Sequence, residues 1–223
     1  PEIIAGTSAG AIVGGLYAFG KSPNEILDFF KSVYFFNWKH FTLTKPGFIN
    51  SDIFRLYLKP IIGEIKIKDL KKELVINATD LIQGETFVFS GDDYLLDAII
   101  ASCSVPGLAS PFKKDELLLS DGGILNNFPT NLIKEKCDKI IGIYVCPLQD
   151  VKKNQLNSIK SVATRAYELL SHSVENYKFR DCDWLISPKE LSNYGMFESK
   201  KTRMDELFQL GFSEAEKTFP KDF

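Results

Sequence analysis

The stretch PEIIAGTSAGAIVGGLYAFG, residues 1–20, decides between two structures for this chain. From Ile3 to Gly20 it carries no charge, and its glycines recur at four-residue spacing, which is typical of packed transmembrane helices. A membrane span, however, needs about 20 mainly apolar residues. This run is shorter and is diluted by glycine, threonine and serine. We therefore expect a strand, a turn and a helix here, in a soluble protein that can touch membranes.

The second interpretation divides the stretch at Gly6–Gly10, which fits the pattern G-x-S-x-G. Ile3–Ala5 is apolar, as in a buried strand, and helical spacing from Ser8 ends at Gly20. At so sharp a turn a serine is strained and its neighbours must be small. The helix then directs its free N–H groups and positive dipole end at the serine. Ser8 is a candidate nucleophile and the Ala9 N–H a candidate oxyanion donor, unless the turn serves close packing alone.

Composition limits the classes of function. The 223 residues are 44% hydrophobic and 25% charged, as in globular proteins, and we expect one domain over residues 1–223. The net charge of −2 gives no electrostatic reason to expect a nucleic-acid partner. Four scattered cysteines and two histidines lack the spacing of a zinc site or a disulfide framework. We expect no metal, no cofactor and a cytoplasmic location, with peripheral membrane contact allowed.

Helix and strand patterns alternate along the rest of the chain, which predicts a sheet covered by helices on both faces. Ser22–Glu25 is a capping box that begins a helix. Further predicted elements are strands near 73–81, 85–90, 116–121, 139–145 and 183–187, and helices over 95–102, 129–136, 156–177 and 202–219. The aromatic-rich segment 34–48 predicts a loop or lid whose rings either touch lipid or belong to the core.

A second motif supplies a base for Ser8. Asp121 directly follows an apolar strand and precedes Gly122 and Gly123. In parallel α/β sheets functional residues gather at the carboxyl ends of strands, where Ser8 and Asp121 both fall. A carboxylate there can accept the serine proton, and the two glycines let the backbone turn tightly enough to bring Asp121 close. An ordinary Asp-Gly turn is the alternative.

Together the two motifs resemble those of the patatin-like phospholipases, lipid acyl hydrolases that use a Ser-Asp dyad. Three further segments, "NATDLIQGETFVFS", "AIIASCSVPGLASPF" and "DGGILNNFP", resemble the same family and occur in its order. Their matching residues are Thr79, Asp80, Gly84, Ala101, Ser102, Pro106, Gly107, Asn126, Asn127 and Pro129. The resemblance covers about residues 3–145, and the C-terminal third is less distinctive.

The resemblance implies a three-layer α/β/α sandwich with a mainly parallel central sheet. It also implies hydrolysis of phospholipid or lysophospholipid esters through an acyl-enzyme, with Ser8 as nucleophile and Asp121 as general base. Gly6, Ala9 and Gly10 would form the elbow and oxyanion site. The family's glycine-rich oxyanion loop precedes the elbow, so we expect that loop and its strand upstream of residue 1. A non-catalytic lipid-binding or interaction protein on the same scaffold is the alternative.

Three other residues receive simpler interpretations. The order Ser8, Asp121, His172 matches that of Ser-Asp-His hydrolases, but a packed or solvated helical histidine is the simpler interpretation of His172. Asp80 is expected to hold a turn through its carboxylate. Cys103 is expected to be a small buried hydrophobic residue.

Overall fold

A computed structural model of the protein describes residues 1–33, 53–148, 150–195, 198–221 and 223. The predicted aromatic loop over 34–48 lies outside these residues. The chain divides into two units, Pro1–Glu135 and Lys136–Phe223, and each is described by itself.

The first unit contains most of the strands and helices that the sequence predicts, together with a strand over residues 112–114 that the sequence analysis does not predict. Its described strands are β1 (Ile3–Gly6), β2 (Glu73–Asp80), β3 (Glu85–Phe89), β4 (Phe112–Lys114) and β5 (Leu117–Asp121). Its described helices are α1 (Ala9–Phe19), α2 (Pro23–Ser32), α3 (Ile53–Ile62) and α4 (Leu95–Ser102).

Local chemistry sets the ends of the first two helices as predicted. Helix α1 ends at Gly20, whose φ of 111° lets its N–H donate to the Leu16 and Tyr17 carbonyls. Helix α2 begins at a capping box in which the Glu25 N–H donates to Ser22 Oγ at 3.3 Å. In return, the Ser22 N–H donates to Glu25 Oε2 at 2.8 Å.

The sheet of the first unit is mixed, so the expectation of a mainly parallel central sheet is not confirmed in the described residues. Strand order is β1-β2-β5-β4, and β3 also pairs with β2. The β1–β2 pairing is parallel, whereas β2–β3, β2–β5 and β4–β5 are antiparallel. Connections as short as Leu81–Gly84 and Asp115–Glu116 explain two of these pairings, because parallel neighbours need a crossover of a dozen or more residues.

The hydrophobic core of this unit lies between the sheet and the helices α1, α3 and α4. Leu16, Leu74 and Ile99 are among its fully buried side chains. Helices α1 and α4 approach closely at Gly15, where a Cβ would lie 3.0 Å from the Ile99 side chain. Burial of each large aliphatic side chain contributes about 1.5–3 kcal/mol, which fixes the β1–α1 turn against the sheet.

The second unit contains β6 (Ile141–Ile143), α5 (Ile159–Glu175), β7 (Trp184–Ile186) and α6 (Lys201–Thr218). Strands β6 and β7 are parallel neighbours. The Trp184 ring packs on Phe219, and its Nε1–H donates to Thr218 Oγ1 at 3.0 Å. These strands and helices lie where the sequence predicts them, within a few residues at their ends.

The helix predicted over 129–136 is wrong in type. The chain forms two short 3₁₀ turns there, Thr130–Leu132 and Lys134–Lys136. Thr130 and Asn131 explain the difference, since both residue types compete with the helix through local hydrogen bonds.

None of the helices in the described parts of the chain combines the length and the apolar character that crossing a membrane requires.

Candidate active site

Ser8 stands at the turn between β1 and α1 in a strained backbone conformation, as the sequence predicts. Its φ is 54° and its ψ is −119°, a backbone conformation that residues other than glycine rarely adopt. A serine at the N-cap usually accepts a hydrogen bond from the first helical turn, but the Ser8 side chain caps no N–H of α1. The hydroxyl instead lies close enough to the Asp121 carboxyl to lower the pKa of that group.

The two glycines of the elbow have different roles. A Cβ at Gly6 would collide with the carbonyl group of Gly10, so β1 and α1 can approach only with glycine at position 6. A Cβ at Gly10 would meet no atom within 4 Å in the described structure. Close packing therefore accounts for Gly6 but not for Gly10, whose missing side chain leaves open space beside Ser8.

Asp121 ends β5 and is 2% exposed. Its Oδ1 accepts the Gly123 N–H at 2.7 Å, and its backbone carbonyl accepts the Thr79 hydroxyl at 2.9 Å. The register of β2 and β5 pairs Ala78 with Asp121, while that of β1 and β2 pairs Gly6 with Ile76. The sheet thus brings the end of β1, which leads into Ser8, and the end of β5, which is Asp121, to the same part of β2.

The surroundings of Asp121 change its acidity. Burial raises the pKa of the Asp121 carboxyl to about 6, against an ordinary value of 3.8. Hydrogen bonds from the Ser8 side chain and the Gly123 N–H act in the opposite direction and limit the rise of this pKa. A carboxylate with a pKa of about 6 is ionised at neutral pH and is a stronger base than an exposed aspartate.

A buried asparagine that sequence reasoning missed joins the turn of Ser8 to the turn of Asp121. Asn77 is fully buried in β2, and its Oδ1 accepts the hydroxyl of Thr7 at 2.6 Å. Its Nδ2 lies 2.9 Å from the Asn126 carbonyl and 3.5 Å from that of Gly122. The Thr7 hydroxyl also reaches the Asn126 carbonyl at 3.0 Å. This network fixes the segments on either side of the site to one strand.

Gly122 is the glycine that the network requires. A Cβ there would lie 2.5 Å from both the Nδ2 and the backbone oxygen of Asn77. The turn after Asp121 can therefore lie against β2 only with glycine at this position. The neighbouring Gly123 supplies the N–H that holds the carboxylate.

The backbone N–H of Ala9 remains available as an oxyanion donor. Ala9 is exposed and is the first residue of α1, and its N–H donates no hydrogen bond within the described residues. The next N–H, that of Gly10, donates to the Thr7 carbonyl at 2.8 Å. The positive end of the α1 dipole lies at the same place and favours a developing negative charge.

The other three residues that the sequence analysis considered are Asp80, His172 and Cys103. Asp80 holds the β2–β3 turn as predicted, with its Oδ1 accepting the Ile82 N–H at 3.0 Å. His172 belongs to the second unit, where its Nδ1 lies 3.1 Å from the Tyr144 hydroxyl. Cys103 is buried as predicted. Among the described residues, no group of three or more histidine, cysteine, aspartate or glutamate side chains is arranged to hold a metal ion.

Comparison with known proteins shows the family to which the N-terminal part of the chain is similar. Residues 1–133 match the family model of patatin-like phospholipases. An uncharacterized NTE family protein of Mycobacterium tuberculosis is 33% identical over 130 residues, which cover 56% of this chain and 35% of the relative. Lysophospholipase NTE1 of Candida albicans is 32% identical over 158 residues, or 67% of this chain and 11% of that protein. The chain thus spans about a third of the mycobacterial relative and about a tenth of the fungal one.

Proposed function

The chain belongs to the patatin-like phospholipase family, and we propose that it is a serine acyl hydrolase that cleaves ester bonds of phospholipids or lysophospholipids. The observation that carries the proposal is the closeness of the Ser8 hydroxyl, at a strained turn, to the buried carboxyl of Asp121, whose pKa it lowers. Family membership supports the wider expectation of an α/β/α fold. The substrate class is supported by the NTE1 relatives, which are named lysophospholipases.

In the first half of the reaction, Ser8 Oγ attacks the ester carbonyl carbon and the Asp121 carboxylate accepts the hydroxyl proton. A bond forms between Oγ and carbon, and the carbonyl π electrons move to oxygen. The Ala9 N–H and the α1 dipole stabilise this oxyanion. The intermediate then expels the alcohol, which takes the proton from Asp121 and leaves an acyl group on Ser8.

In the second half, water replaces the alcohol. Asp121 is again a carboxylate and accepts a proton from water as the water oxygen attacks the acyl carbon. The second tetrahedral intermediate expels Ser8 Oγ, which recovers the proton. The products are a free fatty acid and the original dyad, so no other proton acceptor is needed.

The lipid substrate lies at an interface, and we propose that the protein contacts it reversibly. Leu81 and Ile82 are 44% and 62% exposed in the turn that follows β2. Leu81 lies three residues beyond Ala78, which pairs with Asp121. Replacing both exposed residues with serine should weaken co-sedimentation with phosphatidylcholine vesicles. Unchanged co-sedimentation would exclude this turn as a lipid contact.

The test of the function is turnover of lysophosphatidylcholine micelles by variants of the two dyad residues. Ser8→Ala should abolish fatty-acid release. Asp121→Asn should lower the rate of release at least ~100-fold, which is the lower end of the range for loss of a general base. Ser90→Ala, which removes an exposed hydroxyl, serves as the control and should keep a near-wild-type rate. Equal turnover by Ser8→Ala would refute the assignment, whereas lipid binding without turnover by the wild type would favour the non-catalytic alternative.

A further inference from the structure

The peptide groups on both sides of Ser8 are held by two consecutive residues at the end of helix α4. The Ser8 N–H donates to Ser102 Oγ at 2.8 Å. The Ser8 carbonyl oxygen accepts the thiol of Cys103, with the sulfur at 3.2 Å. These contacts join positions 94 and 95 residues apart in the chain. The backbone donor and the backbone acceptor of Ser8 therefore both have partners on one short segment.

That segment is rigid because α4 lies inside the core. Seven of its eight residues are buried, and Ser102 is fully inaccessible to solvent. Cys103 is 5% exposed, and its own N–H donates to the Ile99 carbonyl at 3.0 Å, which continues the helical hydrogen bonding. The side chains of Ser102 and Cys103 thus have fixed positions, and they can impose a position on the peptide groups that they bind.

The strained turn at Ser8 needs neighbouring groups that hold its backbone in place. A non-glycine residue with a φ of 54° returns to a more common conformation unless its surroundings prevent it. Such a rotation would swing the Ser8 side chain away from Asp121 and would break the bond to Ser102, the bond to Cys103, or both. We propose that Ser102 and Cys103 are positioning residues that hold Ser8 in its strained conformation and thereby keep its hydroxyl on Asp121. The proposal rests on the function assigned to Ser8 above.

The chemistry of the two side chains suits this role. Ser102 offers an oxygen acceptor to an N–H group, and Cys103 offers an S–H donor to a carbonyl. Burial, and secondarily the charge of Asp121, raises the pKa of the Cys103 thiol well above its usual range, so the thiol keeps its proton. A serine at position 103 would present the same type of donor, whereas an alanine would present none.

The test compares variants that differ only in these two hydrogen bonds. Ser102→Ala and Cys103→Ala should each lower kcat for a soluble ester about tenfold, the effect of losing one intramolecular hydrogen bond, while KM stays unchanged. Labelling by a fluorophosphonate should slow by the same factor. Cys103→Ser should restore both rates to within about threefold of wild type. Ser104→Ala is the matched control, because it removes an equally buried hydroxyl, which donates to the Ile100 carbonyl at 2.8 Å, and leaves in place both bonds to Ser8 and the bond from the Asp121 N–H to the Ser104 carbonyl.

The outcomes separate this inference from the proposed function. If Ser102→Ala and Cys103→Ala react with the fluorophosphonate as fast as wild type, the positioning role is wrong while Ser8 remains the nucleophile. A loss in Ser104→Ala equal to that in Ser102→Ala, or a Cys103→Ala defect that serine does not restore, also overturns it. If Ser102→Ala fails to fold, the pair Cys103→Ala and Cys103→Ser decides alone. Labelling that persists in Ser8→Ala overturns the proposed function itself.

Discussion

Replacing Asp121 with asparagine is expected to raise the free energy of unfolding at neutral pH while it removes the proposed base. The carboxyl is buried, and its pKa in the folded protein is about 6, compared with 3.8 when exposed. Asparagine has nearly the same shape and keeps an oxygen that can accept the Gly123 N–H. It differs from the ionised carboxylate mainly in carrying no charge into the core.

The magnitude follows from the two pKa values. Between pH 3.8 and about 6 the folded protein binds more protons at Asp121 than the unfolded chain does, so stability falls as the pH rises through this window. Each pH unit corresponds to 1.36 kcal/mol, so the deficit reaches about 3 kcal/mol at pH 7. Asp121→Asn should recover that amount at pH 7 but less than about 1 kcal/mol at pH 4.

The assay is urea unfolding followed by circular dichroism at pH 7 and at pH 4. Asp28→Asn is the control, because Asp28 is exposed on α2 and its substitution should change stability by less than about 0.5 kcal/mol. A variant that loses activity and gains stability would show the usual conflict between a functional charge and the fold. Asp121→Asn that is no more stable than wild type at pH 7, or equally stabilised at both pH values, would refute the reasoning.

Three further predictions concern the residues around the dyad. Gly6→Ala should lose about 1–3 kcal/mol of stability because its Cβ meets the Gly10 carbonyl group, whereas Gly10→Ala should fold normally and raise KM by filling the space beside Ser8. Thermal unfolding and ester hydrolysis check both, and a Gly6→Ala protein as stable as wild type would contradict the packing argument. Thr7→Val should lower kcat about tenfold by removing the hydroxyl that binds Asn77, and Thr7→Ser should restore it; equal rates for the two variants would show that this hydroxyl is not needed. His172→Ala should keep hydrolysis within about threefold of wild type, since the described contacts that it loses are a hydrogen bond and a ring contact with Tyr144 in the second unit. A loss as large as that of Asp121→Asn would replace the dyad by a triad.

Features that depend on neighbouring residues were predictable from the sequence. The strand, turn and helix around Ser8 follow from glycine spacing, and the start of α2 follows from the Ser22–Glu25 capping box. Asp121 was expected at a strand end because an apolar run stops there. In each case the signal lies within a few residues of the feature, where backbone preference and hydrogen bonding act directly.

Features that depend on distant residues were not predictable in this way. Strand β2 pairs with β5 in the antiparallel sense, and a strand pattern gives no direction for its partner. Asn77 bonds Thr7 across 70 positions, and Ser102 bonds Ser8 across 94. A signal for Asn77 was present, because a polar amide in the middle of the apolar strand ELVINATD must find partners when buried. The sequence could not say which partners those would be.

The most direct test of the Ser8–Asp121 dyad is the rate of fluorophosphonate labelling as a function of pH, with the labelled residue identified by peptide mass spectrometry. The dyad predicts one modified residue, Ser8, because among the described residues it is the one serine whose side chain lowers the pKa of the buried Asp121 carboxyl. It also predicts that the labelling rate falls tenfold per pH unit below a midpoint near the Asp121 pKa of about 6, because the protonated carboxyl cannot accept the serine proton. Label on another residue, or a rate on Ser8 that does not change between pH 4 and pH 8, would contradict the account.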